Sequence, residues 1–186
     1  MKHSVAAILA AAALTSSQTA HAQSACVAPD DLNDAIVYAM PLAYDAARTS
    51  CAGEFADNGF MATGGADFVD GFRQKQDAAW PGAFRLLQVF MAKSEGGNSD
   101  DQMLGLISSL PESSLRPFVD AIVTQKIGEE IKPDTCGKIE RAMELMSPLP
   151  VENVSGLITF IAEQSDLKNP ELCKANARAA TPSSGQ

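Results

Sequence analysis

Histidine is nearly missing from this chain, which has two in 186 residues, His3 and His21. Both fall in a leader with the parts of a secretory signal: a basic start at Lys2-His3, an apolar run from Val5 to Leu14, and Ala20-His21-Ala22 as an A-x-A cleavage site. Cleavage after Ala22 leaves about 160 residues with no imidazole. Ser-His-Asp and Cys-His nucleophiles are then excluded, as are His-ligated zinc, copper and iron. Long apolar runs are also missing. The leader's run is half the roughly 20 residues a bilayer crossing needs, and nothing after residue 22 is longer, so no transmembrane segment is expected. Basic clusters are lacking as well. The net charge is −9, and one unit lower without Lys2, which repels nucleic acid and anionic lipid. No nucleic-acid partner is expected.

Four cysteines remain: Cys26, Cys51, Cys136 and Cys173. None forms a C-x-x-C pair, and an even count in an exported chain reads as two disulfides. Cys26 is placed for lipid attachment, but Gln23 stands where such sites carry an aliphatic residue, so a disulfide is favoured. Of three pairings, Cys26–Cys51 with Cys136–Cys173 closes two local loops and is the expectation. It carries a geometric condition. A straight helix from Asp30 to Cys51 is about 31 Å long. The four residues from Cys26 to Asp30 reach about 14 Å, and bridged Cα atoms lie within about 7 Å. The pairing therefore requires a fold-back, for which Pro41 is the available breaker.

After residue 30 apolar residues recur at spacings of three and four, and strand-like alternation is nearly absent. The expected fold is all-α: one domain over 23–180, six to eight helices in a compact stack of antiparallel hairpins, and a disordered tail over 181–186. Asp30 is expected to cap the first helix and Asp67 the second, with a Gly-rich loop over 52–66 between them. Pro81 is expected to separate the second helix from a third. Ser99 with Gln102 makes a capping box, Ser114 caps the next helix with Pro117 in its first turn, and Asp134 opens another. Asn169-Pro170 is expected to start a final helix through Cys173. Leu106-Ile-Ser-Ser-Leu-Pro111, followed by Leu115, Phe118, Val119 and Ile122, matches Leu145-Met-Ser-Pro-Leu-Pro150, followed by Val154, Leu157, Ile158 and Ile161, at an offset of 39. Two such copies suggest helical hairpins of the kind solenoids stack, one short of the usual minimum of three.

No motif for a cofactor, a metal or a catalytic residue emerges. Glu54, Asp57, Asp67 and Asp70 flank the Gly-rich loop and offer carboxylates for glycoside or peptidoglycan cleavage, although several acids fall near any loop of so acidic a chain. Ser165-Asp-Leu-Lys168 fits S-x-x-K, without the companion elements of that chemistry. Met143 and Met146 have a copper-like spacing that also suits core filling. Asp30-Asp31-Leu-Asn33-Asp34 and Asn98-Ser-Asp100-Asp101 lack a calcium loop's central Gly and terminal Glu and suit helix N-termini. Trp80, Phe84 and Phe90 offer either a ligand groove or core packing. The function expected is non-catalytic binding of a protein or peptide in the bacterial periplasm or outside the cell. The alternatives are an envelope hydrolase using paired Asp/Glu carboxylates and a periplasmic stress holdase. Recovered from the envelope, the polypeptide should begin at Gln23 by mass spectrometry and take up no thiol reagent until it is reduced.

Overall fold

The computed structural model describes residues 26–93, 111–165 and 171–173. Seven α-helices lie within them: α1 (Pro29–Ser50), α2 (Phe60–Thr63), α3 (Gly65–Arg73), α4 (Gln76–Lys93), α5 (Glu112–Glu130), α6 (Cys136–Met146) and α7 (Val151–Gln164). The all-α expectation holds. The leader, the Ser99–Gln102 capping box, the Asn98–Asp101 acidic run and the 181–186 tail lie outside the described residues.

The organising element is α1. Ala28 is its N-cap and Pro29 opens it, a position where a missing N–H costs nothing. Asp30 lies inside the first turn, beside Asp31, where negative charge suits the helix dipole, and does not act as the cap. The helix runs unbroken through Pro41. A proline there removes the bond to the Val37 carbonyl and costs an unsupported helix about 3 kcal/mol. Packing offsets that cost. Pro41 is itself buried, among Val37, Tyr38, Leu42 and Tyr44. α3, α4, α5 and α7 all lie against α1.

An unbroken α1 corrects the disulfide pairing. Its 22 residues span about 33 Å, which carries Cys51 to the opposite end of the helix from Cys26. The bonds are Cys26–Cys173 and Cys51–Cys136, with Cα separations of 5.0 and 5.8 Å. The expected Cys26–Cys51 and Cys136–Cys173 pairs do not form. The bridges close 147 and 85 residues of sequence, the second nested inside the first. Loop closure of this length restricts an unfolded chain by about 4–5 kcal/mol for one bridge alone. Nesting shortens the path that the later bridge closes, so the two effects do not add. Cys26 has no thiol left to carry a lipid.

The directions of neighbouring helices follow from their contacts with α1. Asp31 meets Arg85, Asp34 meets Gly82, and the Tyr38 carbonyl meets Gln76, so α4 runs antiparallel to α1. Tyr38 meets Asp120 and Ser50 meets Gly128, so α5 runs parallel to it. The Asp34 side chain of α1 packs against Gly82 of α4 and occupies the space a Cβ there would need. One apolar cluster joins Val37, Tyr38 and Leu42 to Phe72, Trp80, Leu115, Val119 and Val154. A second joins Tyr44 and Ala47 to Met61, Val69 and Met143 at the Cys51 end.

Several boundaries differ from expectation, each for a tertiary reason. The 52–66 loop contains α2 and the start of α3. Glu140 of α6 accepts the Met61 N–H at 2.9 Å and so caps α2 from a distance. α3 is preceded by Gly64, so Asp67 lies in its first turn and is not its cap. Gln74 and Lys75 divide α3 from α4, and Pro81 lies within α4. Pro111 is the N-cap of α5, ahead of Ser114, and Pro117 is interior to that helix. Residues 171–173 are not helical: Leu172 forms a parallel bridge with Val27, and the amides of Val27 and Cys173 each bond across it at 2.8 Å.

Mild reduction should open the half-buried Cys26–Cys173 bond first and leave the wholly buried Cys51–Cys136 bond intact. Alkylation with peptide mapping should then label only Cys26 and Cys173. Replacing Cys51 and Cys136 by alanine should cost about 3–5 kcal/mol in urea unfolding.

Candidate functional site

The most connected polar group is Tyr38, buried at the centre of α1. Its hydroxyl donates to Asp120 of α5 and accepts from Arg116 Nε at 3.1 Å. Arg116 also donates to Asp77 of α4. Gln76 donates to the Tyr38 carbonyl at 2.9 Å. The Arg116 guanidinium lies 5.3 Å from the Tyr38 ring centre and 5.8 Å from that of Trp80. Trp80 in turn stacks on Phe84 at 5.4 Å. Burial pushes the Tyr38 phenol pKa well up, the bond to Asp120 adds to the rise, and Arg116 opposes it. The phenol is therefore held neutral, and Arg116 is occupied by a hydroxyl, a carboxylate and two rings. The cluster ties three helices together. Tyr38, Asp77, Arg116 and Asp120 are too distant in sequence for any local pattern to reveal them.

The residues singled out from sequence have mostly structural placements. Glu54 and Asp57 are exposed on the loop after α1, and Asp67 is exposed on α3. Asp70 bonds Arg73, which also reaches Asp45. Among the described residues, Asp70 is the one of those four carboxylates with a polar side-chain partner. Asp31 receives both Nε and Nη2 of Arg85, at 3.0 and 2.7 Å. Burial raises the Asp34 pKa, with Arg85 opposing and Asp31 and Asp30 adding to the rise. The Asp30–Asp34 run thus helps join α1 to α4, and no three Cys, Asp or Glu side chains among the described residues gather as metal ligands. Met143 is buried beside Tyr44 and Val69, with Met146 packed against the same cluster. Ser165 donates to the Ile161 carbonyl at 2.7 Å, while Lys168 lies outside the described residues. Trp80 and Phe84 belong to the core.

A different feature stands out on α7. Its core side carries Val154 together with two buried polar residues, Ser155 and Thr159. Ser155 donates back to the Val151 carbonyl at 3.1 Å, and the Thr159 hydroxyl has no hydrogen-bond partner among the described residues. Its outer side carries Leu157, Phe160 and Ile161, which are 50, 56 and 54% exposed. Spaced three and four apart, they form one continuous patch. A helix apolar on both sides is ordinarily covered on both. Glu152, Gly156 and Glu163 line one edge of this patch at spacings of four and seven, and α7 contains no Lys or Arg. Nothing lies within 4 Å of the space a Cβ on Gly156 would fill. An exposed mid-helix glycine costs about 1 kcal/mol relative to alanine, and no packing among the described residues accounts for it.

The repeat at an offset of 39 makes the pattern sharper. Pro111 and Pro150 are both extended N-caps, of α5 and α7. Leu115 and its counterpart Val154 are buried, whereas Phe118 and Ile122 are exposed, as are their counterparts Leu157 and Ile161. Leu106 to Leu110 of the first copy lie outside the described residues. Apolar spacing correctly placed these helices, but it could not tell which apolar side each turns inward.

Comparison with protein-family models, with curated proteins and with solved structures finds no match.

Because the folded state raises the Tyr38 pKa above the usual value of about 10, its contribution to stability is complete below that pH and is lost as pH rises towards the folded value. Alkaline titration followed at 295 nm should show a late phase coinciding with unfolding, absent in Tyr38→Phe. At pH 7 that variant should lose about 1–3 kcal/mol, since Asp120 and Arg116 each lose a partner.

Proposed function

We propose that this chain is a non-catalytic binding protein that acts in an oxidising space outside the cytoplasm, in the periplasm or beyond the cell, and holds a protein or peptide. The observation that carries this reading is the exposed apolar side of α7, formed by Leu157, Phe160 and Ile161 on a helix whose other side is already packed. A fold fastened by two disulfides suits a compartment where thiols do not stay reduced. Exposed apolar patches rimmed by polar residues are the ordinary mark of an interaction surface. The well-connected polar cluster at Tyr38 is spent on joining helices, which leaves the surface as the functional element.

The test is a crosslinking pull-down from native envelope, run beside a zymogram on peptidoglycan. Specific capture of one protein partner with no clearing of the zymogram is expected. An inert pull-down against a clear lytic zone would overturn the reading in favour of a carboxylate hydrolase.

A further inference from the structure

Building on that binding reading, we propose that the outer side of α7 is the docking site and that its occupant is a cationic amphipathic helix of another protein. The apolar part of the match comes from Leu157, Phe160 and Ile161, whose three-and-four spacing is complementary to a stripe of the same spacing on a partner helix. The electrostatic part comes from the edge. Glu152 and Glu163 flank Gly156 on one side of the patch, and α7 itself contains no Lys or Arg. Lys75 engages Glu152 from the α3–α4 turn, while Glu163 has no ion-pair partner among the described residues. Elsewhere Arg73, Arg85, Arg116, Lys126 and Arg141 are each bound to a carboxylate, and the chain as a whole carries a net charge of −9. Gly156 supplies the third element. The open space beside it, which costs α7 stability without serving the fold, lets a second helix approach the backbone closely.

The same charges argue against other occupants. A second copy of this chain would bring like-charged edges and two strongly acidic molecules together, and an anionic lipid surface would be repelled in the same way.

The experiment uses the full disulfide-bonded chain and two labelled synthetic peptides of about 18 residues. Both have leucines at three-and-four spacing, one with lysine and the other with glutamate at every remaining position. Fluorescence anisotropy should show binding of the Leu/Lys peptide, weakening with salt, and none of the Leu/Glu peptide. The double variant L157Q/F160Q, which leaves charge unchanged, should bind about tenfold more weakly or worse. Glu163→Gln should weaken binding by about threefold and flatten its salt dependence. Gly156→Gln is the decisive variant, because it should raise thermal stability through better helix propensity while reducing binding. That opposition separates a contact effect from damage to the fold.

Equal binding of both peptides, or of wild type and L157Q/F160Q, overturns the proposal. So does a sedimenting dimer, or adsorption to phosphatidylglycerol vesicles, that L157Q/F160Q abolishes. If envelope capture by the same chain survives L157Q/F160Q, the docking site is wrong and the wider binding reading stands. If there is no envelope capture at all, it is the wider reading that fails.

Discussion

The continuity of α1 through Pro41 is the constraint on which the remaining structure depends. A break there would bring the two ends of the segment together and favour short-range cysteine pairs. An unbroken rod separates Cys26 from Cys51 by its full length, so each must find a partner from a distant part of the chain. The rod also supplies a common wall for α3, α4, α5 and α7. Local preference alone opposes this arrangement, since an interior proline withdraws a backbone bond. Burial on several sides of α1 outweighs it. Pro81 and Pro117 survive inside α4 and α5 on helices that also pack against α1.

Much of the architecture was legible from spacing. Three-and-four periodicity located α1, α5, α6 and α7, and the absence of alternation excluded sheets. The errors gathered where a residue's role is decided by something far away in sequence. Pro41 and Pro81 read as punctuation, and Pro117 as a first-turn residue, because a single sequence does not display the packing that supports them inside helices. The start of α2 was hidden because its cap, Glu140, arrives from α6. The turn at Gln74-Lys75 carries neither glycine nor proline and gave no signal. The cysteine pairing differs from expectation for the same reason as Pro41: an unbroken α1 of about 33 Å keeps Cys26 and Cys51 at opposite ends.

The candidate surface was less legible than the fold. Leu157 and Ile161 have the helical spacing that ordinarily marks core residues, so their exposure is not visible in the sequence. Their exposure follows from the opposite side of α7, where Val154, Ser155 and Thr159 already occupy the interface with the rest of the molecule. A helix has one inward side in a bundle of this size. With that side taken, the remaining apolar residues face outward whatever their hydropathy. The acidic sites weighed from sequence show the reverse effect: the Asp30–Asp34 run resembled a ligand set and is used to bind α4 through Arg85 and to crowd Gly82.

The Cys26–Cys173 bond, supported by the Val27–Leu172 bridge, gives the polypeptide between those two residues the topology of a closed ring, and Cys51–Cys136 adds a chord across it. A protease that severs one peptide bond anywhere on that circuit opens the ring but frees no fragment, because every piece stays covalently joined through sulfur. Exposed to peptidases, such a molecule can be nicked once and keep its mass and its covalent connections.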